Sequence, residues 1–375
     1  MFITIVFAIY LLPGIYVYIR ILNLFNHKHG KIIFTIAFWL LMFLFPLTET
    51  LAHSRVSGLG NSLILSGYLL LPFLLYLFLS VLVRDLLLVV NRMLKIIATE
   101  KLQTPRIKII TFFILLIIPA MVVVFGMFKY ADIKVNRYQI EKPRRSSALQ
   151  HLRILLASDF HLRELTSDHL MPDFVKKVNS LNADILLLPG DILEGDRQDE
   201  QVAEFERQFS QIQTKYGVYA SLGNHEFYHG GERTDFFINA HIMVLTDTTI
   251  IINHAFALLG RNDQHFYKRK PVSDLVGNLP DKLPVIILDH RPTDLQNISA
   301  SGADILVSGH THNGQLFPFN YIADKIYELS WGYKKINKTH VFVTSGIQLW
   351  GPPVRTTGDS EMMVIDVVLT GLVKY

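Results

Sequence analysis

Two histidines one residue apart, His310 and His312, stand directly behind a short apolar run (Ile305 to Ser308) that Gly309 breaks, in the segment from Asp304 to Gln315. A strand ending in Gly-His-x-His sets two imidazole nitrogens at a sheet edge, where glycine lets the backbone turn tightly around something small. Four apolar runs upstream end in the same way. Ile154 to Ser158 leads into Asp159 and His161, and Ile185 to Pro189 into Gly190 and Asp191. Val218 to Leu222 leads into Gly223, Asn224, His225 and Glu226, and Val285 to Leu288 into Asp289 and His290. Short apolar runs closed by turn residues are the pattern of strands buried on both faces, and each delivers its polar residue at the carboxyl edge, where open α/β sheets bind ligands.

The collected side chains are Asp159, His161, Asp191, Asn224, His225, His290, His310 and His312. Imidazole and carboxylate donors without sulfur suit manganese, iron or zinc better than calcium, which prefers an all-oxygen shell. They are more than one four-coordinate ion needs, and a carboxylate can bridge two ions. Two ions roughly 3.5–4 Å apart would grip both the attacking and the leaving oxygen of a phosphoryl transfer. The chain has no cysteine, which excludes disulfides, thiolate metal sites and cysteine nucleophiles.

D-x-H, then G-D, then G-N-H-E, then a lone histidine, then G-H-x-H, in that order, resembles the calcineurin-like metallophosphoesterases over about Arg153 to the C-terminus. Joined to the apolar N-terminal region described below, the chain resembles the membrane-associated bacterial type. The resemblance implies a four-layer α/β/β/α sandwich. It implies that Asp159, His161 and His312 hold one metal and Asn224, His290 and His310 a second. Asp191 would bridge them together with the water or hydroxide that attacks phosphorus. It further implies that His225 contacts the substrate phosphate or protonates the leaving oxygen. Glu226 stands where many members have aspartate, and is expected to orient His225. Asn313 replaces a common glycine, and asparagine tolerates the left-handed backbone such a position needs.

The elements that must position these residues fall into two regions. Of 375 residues half are apolar, mean hydropathy is +0.31, and the excess lies before residue 130. Four stretches approach the roughly 17–25 residues that cross a bilayer: Phe2 to Tyr18, Ile32 to Leu47, Leu63 to Val83 and Ile109 to Met127. None carries a central charge, so anchoring rather than transport is expected. The first lacks the basic start and Ala-x-Ala exit of a signal peptide. Basic residues in the loops after the first and third spans place the C-terminal region outside the cell, although Lys129 to Arg145 argue the other way. Residues 1–130 thus read as a region of four transmembrane helices and 131–152 as a basic linker, solvated or, through Arg144 and Arg145, in contact with anionic lipid headgroups. Residues 153–375 read as the metallophosphoesterase domain. Its expected helices include one capped at Thr166 or Ser167 and one from about Asp199 to Lys215.

The net charge of +4 is mild and flanks apolar spans, so no nucleic-acid partner is expected. Arg163 and Arg355 are candidate phosphate contacts. Asp289 and Asp263 read as structural. Trp331, Trp350, Tyr333 and Phe317 read as packing residues, or as pocket or membrane-interface residues. The expected protein is a multi-pass membrane phosphohydrolase with two divalent or trivalent ions (manganese, iron or zinc). Its partners would be membrane lipids and a phosphorylated small-molecule or lipid substrate. The alternative is a non-catalytic membrane receptor binding a phosphorylated ligand through the same domain.

Overall fold

The computed structural model describes residues 2–371 except 53–58, 144–146, 148, 164–165, 195–199, 229–233, 267, 278 and 280–282. It divides into two compact units, residues 1–128 with Gly351–Thr356, and Lys129–Trp350 with the remainder of the C-terminus.

The helical unit is built from α1 (Phe2–Leu22), α2 (Lys28–Ala52), α3 (Leu59–Leu94), α4 (Thr99–Leu102) and α5 (Pro105–Ala131). Val17, Ile21, Phe38, Met42, Leu77, Val81 and Leu115 pack where α1, α2, α3 and α5 meet. Around that small core Ile33, Leu40, Phe43, Ile109, Phe113 and Phe125 face outward. Helices satisfy their own backbone polar groups, so only such an apolar exterior is at home in lipid. All four expected stretches are helical. Among the described residues three helices, Lys28–Thr48, Asn61–Leu94 and Pro105–Ala131, are long and apolar enough to cross a membrane, and the described side chains of α1, Tyr10–Leu22, make a shorter apolar stretch. α3 outruns its expected span and carries Arg84 and Asp85 beyond it. Asp85 accepts from the Tyr16 hydroxyl at 2.5 Å and pairs with Arg20 at 2.6 Å, so the charges are neutralised where the apolar stretch ends.

The second unit opens inside the stretch expected to be a basic linker: Ile133–Pro143 form strand β1, paired in parallel along its whole length with the last strand of the chain. Ile133 and Val135 turn toward one core and Tyr138 and Ile140, on the opposite face, toward another, with exposed Lys134, Arg137 and Glu141 between them, as fits a half-exposed edge strand. Arg144 and Arg145, considered as a lipid contact, lie outside the described residues.

The remaining elements are β2 (His151–Leu156), α6 (Leu170–Ser180), β3 (Ile185–Pro189), α7 (Glu200–Phe209), β4 (Val218–Ser221), α8 (Thr234–Asn239), β5 (Ile242–Val244), β6 (Thr248–Ile252) and β7 (Phe256–Gly260). After these come α9 (Val272–Val276), β8 (Val285–Leu288), α10 (Leu295–Ala300), β9 (Ile305–Ser308), α11 (Phe319–Ile326), β10 (Gly332–Ile336), β11 (Thr339–Val343) and β12 (Ser360–Thr370). They form two six-stranded sheets, ordered β1-β12-β2-β3-β4-β5 and β10-β11-β9-β8-β7-β6. Neighbouring side chains of one strand go to different cores, as a two-residue period requires. Leu155, Leu186 and Leu188 pack with Phe174, Phe209 and Phe236 of α6, α7 and α8. Ile154, Leu156 and Leu187 meet Leu258, Ile286, Leu288 and Val307 of the other sheet. Leu259, Ile287 and Leu306 pack beneath Leu275 and Ile298 of α9 and α10. Three cores give four layers, helix, sheet, sheet, helix. α6 follows His169 without a side-chain cap from Thr166 or Ser167, and α7 ends at Phe209, short of the expected Lys215.

Candidate metal centre

β2, β3, β4, β8 and β9 each stop where a polar side chain begins, and their parallel pairing brings those ends to one edge of the two stacked sheets. The chain turns there through left-handed backbone at Asp159, His161, Asp191, His310, His312 and Asn313, with φ between 43° and 72°. Non-glycine residues adopt this region at a cost of about 1–3 kcal/mol each, strain that surrounding structure must hold and that clusters at functional sites. Two motif glycines answer to close approach. A Cβ at Gly223 would strike the Asp191 carboxylate, and one at Gly309 the Asp159 carboxylate and the Ser158 hydroxyl.

The eight side chains collected from the sequence meet in this edge. Asp159, His161 and His312 form one cluster and Asp191, His290 and His310 another, with His225 joining Asp191 and His161 in a third. The Nε2 atoms of His161 and His312 lie 3.3 Å apart, and His310 Nδ1 lies 3.2 Å from His290 Nε2. Asp191 Oδ2 sits 3.1 Å from His290 Nε2 and 3.8 Å from His161 Nε2, so one oxygen faces both groups. Asn224 Oδ1 is buried with no hydrogen-bond partner among the described residues, while its amide donates to the Tyr228 hydroxyl at 3.0 Å and thereby fixes which end points inward. His290 Nδ1 faces the Pro189 carbonyl at 2.8 Å, which leaves Nε2 to turn toward Asp191.

The buried groups differ in charge: against the lowering by burial, Asp191 raises His290 to about 10, and burial raises Asp159 to about 7. Burial holds His161 well below the ordinary histidine range and, with the neighbouring His290, pushes His310 down to about 2, so both keep free lone pairs. Burial opposes a charge on Asp191, yet His290 outweighs it and keeps the carboxyl well below its usual value. Facing nitrogens at close range, an orphaned amide oxygen and a shared carboxylate fit divalent metal ions held by nitrogen and oxygen donors.

Glu226 is placed differently from its expected role. Its Oε1 accepts from the amides of Ile192 at 2.6 Å and Leu193 at 3.2 Å, and its Oε2 from those of Gly223 at 2.7 Å and Asp191 at 3.0 Å. A carboxylate so engaged stitches the β3 and β4 loops together rather than orienting His225. The acid that faces His225 is Glu194, whose Oε1 is 3.9 Å from His225 Nδ1 and whose Oε2 pairs with Arg163 at 3.4 Å. Glu194 and Tyr228 went unnoticed in the sequence, though an acid three positions after Asp191 and a tyrosine four after Asn224 were both visible. Arg163, a candidate phosphate contact, thus engages Glu194, and Arg355 is fully buried and belongs to the helical unit. Asp289 is structural, bound by Arg261 at 2.9 Å and by Arg269. Asp263 is buried and accepts from Arg291 at 2.8 Å. Trp331 donates its indole N–H to Glu361 at 2.6 Å, and Tyr333 stacks on His340.

A layered α/β/β/α domain with an Asp/His/Asn cluster at the carboxyl edge of its strands defines a metal-binding class of hydrolase-like folds. Residues 152–314 match the family model of the calcineurin-like phosphoesterases. An uncharacterized metallophosphoesterase of Helicobacter pylori is 30% identical over 219 residues, 57% of this chain and 59% of that protein. A transmembrane protein with metallophosphoesterase domain from Danio rerio is 28% identical over 265 residues, covering 66% and 60% of the two chains. Phosphodiesterase YaeI of Escherichia coli is 26% identical over 230 residues, 58% of this chain and 82% of that protein. The chain matches only about three fifths of the Helicobacter relative's length.

Proposed function

We propose that the protein is a membrane-anchored phosphohydrolase working with two divalent or trivalent ions, manganese, iron or zinc. Asp159, His161 and His312 would hold one, Asn224, His290 and His310 the other, and Asp191 both. Such ions supply Lewis acidity toward a phosphoryl oxygen and lower the pKa of water toward neutrality. The observation that carries this reading is the single Asp191 oxygen set against imidazoles of both clusters.

The chain's own residues would do the rest. Glu226 fixes the backbone that carries Asp191 and Asn224 through its four amide bonds. His225 stands edge-on to His161 with ring centroids 4.5 Å apart and would donate a proton to the leaving oxygen, with Glu194 Oε1 3.9 Å from its Nδ1. Burial of Asp159, His161 and His290 keeps bulk water from the donors. The substrate would be a phosphomonoester, phosphodiester or pyrophosphate. The name of the Escherichia coli relative favours a diester, and attachment to a bilayer favours a lipid-linked or envelope molecule. The apolar helices would form four passes, with the domain on the outer face.

Purified protein with Mn²⁺ is expected to hydrolyse p-nitrophenyl phosphate or its bis ester, and Asp191→Asn to abolish turnover while the fold persists. Intact turnover in a folded Asp191→Asn protein refutes the assignment. Metal content measured alongside turnover separates the enzyme from a non-catalytic receptor, and protease accessibility in sealed cells reads the face.

A further inference from the structure

α11 follows directly on the Gly-His-Thr-His loop and is turned inside out. Phe319, Ile322 and Ile326, spaced i, i+3 and i+7, form one stripe of the helix, and all three face solvent, Ile322 at 53% and Ile326 at 67%. The one buried residue of the helix is Ala323. Tyr321 on the same helix and Phe317 just before it are also exposed, their rings 5.9 Å apart. Trp350, 54% exposed, is tied to the same place, because Gln315 Nε2 donates to its carbonyl at 3.5 Å. A contiguous apolar and aromatic patch of this kind marks a contact surface rather than ordinary scatter.

Two chain crossings lead from this patch into the helical unit. Gly351–Thr356 clusters with the helical unit, so Trp350 and Thr357 are each one peptide bond from that unit. Thr357 N donates to Gln315 O at 3.3 Å, which places both crossings beside the segment that opens the patch. Inside the helical unit, Arg355 N donates to Gly126 O at 3.0 Å and Thr356 bonds Tyr76 at 2.5 Å. Gly126 lies in the last turns of the apolar helix α5, where a spanning helix leaves the hydrocarbon. Tryptophan, tyrosine and phenylalanine beside an apolar stripe of a helix that also carries Asp324 and Lys325 have the composition of a membrane-interface contact.

We infer that α11, with Phe317, Tyr321 and Trp350, lies against the surface of the phospholipid bilayer that anchors the chain, an inference that rests on the membrane anchorage proposed above and not on the metal assignment. The His312–Gly314 turn runs straight into α11, so a seated helix brings the rim of the metal centre to headgroup depth. The chemistry presented to the site there is the phosphoester of a bilayer amphiphile.

The absence of cysteine makes the test direct. Single cysteines replace Ile322, Ile326, Val124 on α5 and Met243 on β5, all exposed, in the full chain. Each is labelled with the fluorophore NBD and reconstituted in phosphatidylcholine–phosphatidylglycerol nanodiscs, with or without a phospholipid bearing a nitroxide near its headgroup. Monodisperse elution and a circular-dichroism spectrum and melting midpoint matching wild type check that each variant is folded. NBD at 322 and 326 is expected to emit at shorter wavelength than at 243 and to be quenched at least about twofold by the nitroxide lipid, as at 124, while 243 is not quenched. Quenching at 124 with 322 and 326 behaving like 243 overturns the inference and leaves the anchorage standing. Absence of quenching at 124 overturns both. A blue shift at 322 and 326 that nitroxide lipid does not quench means a second protein copy covers the patch, and also overturns it.

Discussion

Replacing Glu226 by glutamine changes one oxygen into an amide group and nothing else in shape. The native carboxylate accepts four backbone amides, from Gly223, Asp191, Ile192 and Leu193, in a fully packed interior. In the best orientation the glutamine carbonyl keeps the pair from Ile192 and Leu193, while its NH₂ is pressed against the N–H groups of Asp191 and Gly223. Two buried donors then lose their acceptor, at about 1–3 kcal/mol each, so the variant should lose about 4 kcal/mol. For a domain of this size each kcal/mol moves the midpoint by about 2–4 °C, giving a fall of about 8–16 °C in the melting temperature of the detergent-solubilised chain. The same donors position Asp191, so the Glu226→Gln protein should also lose bound metal on dialysis, read by elemental analysis. A midpoint within a degree or two of wild type together with unchanged metal content would refute the claim that this carboxylate holds the two loops together.

Glu194→Gln removes the charge facing His225, so kcat on bis(p-nitrophenyl) phosphate should fall about tenfold to a hundredfold with little change in KM. An unchanged kcat in a folded Glu194→Gln protein counts against Glu194 acting through His225. Lys142 of β1 pairs with Asp304 at 2.8 Å, both almost fully buried. Lys142→Met alone should cost about 3–5 kcal/mol by stranding the Asp304 carboxylate, whereas Lys142→Met with Asp304→Asn, which keeps an acceptor for Val285 N, should recover most of it in thermal melts.

The strands that carry the site were legible because each is an unbroken apolar run closed by a turn, a signal that needs no knowledge of the partner strand. β1 was not, because its residues alternate with lysine, arginine and asparagine, and its partner β12 lies at the other end of the chain. Positions of Asp159, His161, Asp191, His290, His310 and His312 could be anticipated since each occupies a strand end whose backbone must turn. The role of Glu226 was misjudged from its place beside His225: adjacent residues on the short turn His225–Phe227 need not point toward each other. Glu194, an acid three positions after Asp191, carries no strand-end signal of its own, and only the folded β3 loop returns it to His225. The outward apolar stripe of α11 is invisible in sequence for a related reason, as its spacing is that of any buried amphipathic face.

The position of β12 governs how the protein can be made. It lies between β1 and β2, so the first strand to leave the ribosome after the helices waits for a neighbour encoded over two hundred residues later. At roughly 5–20 residues per second that delay is on the order of 10–40 s, during which the edge of β2 stays unpaired. A nascent chain stalled before Ser360 therefore presents a sheet in which β1 has no neighbour.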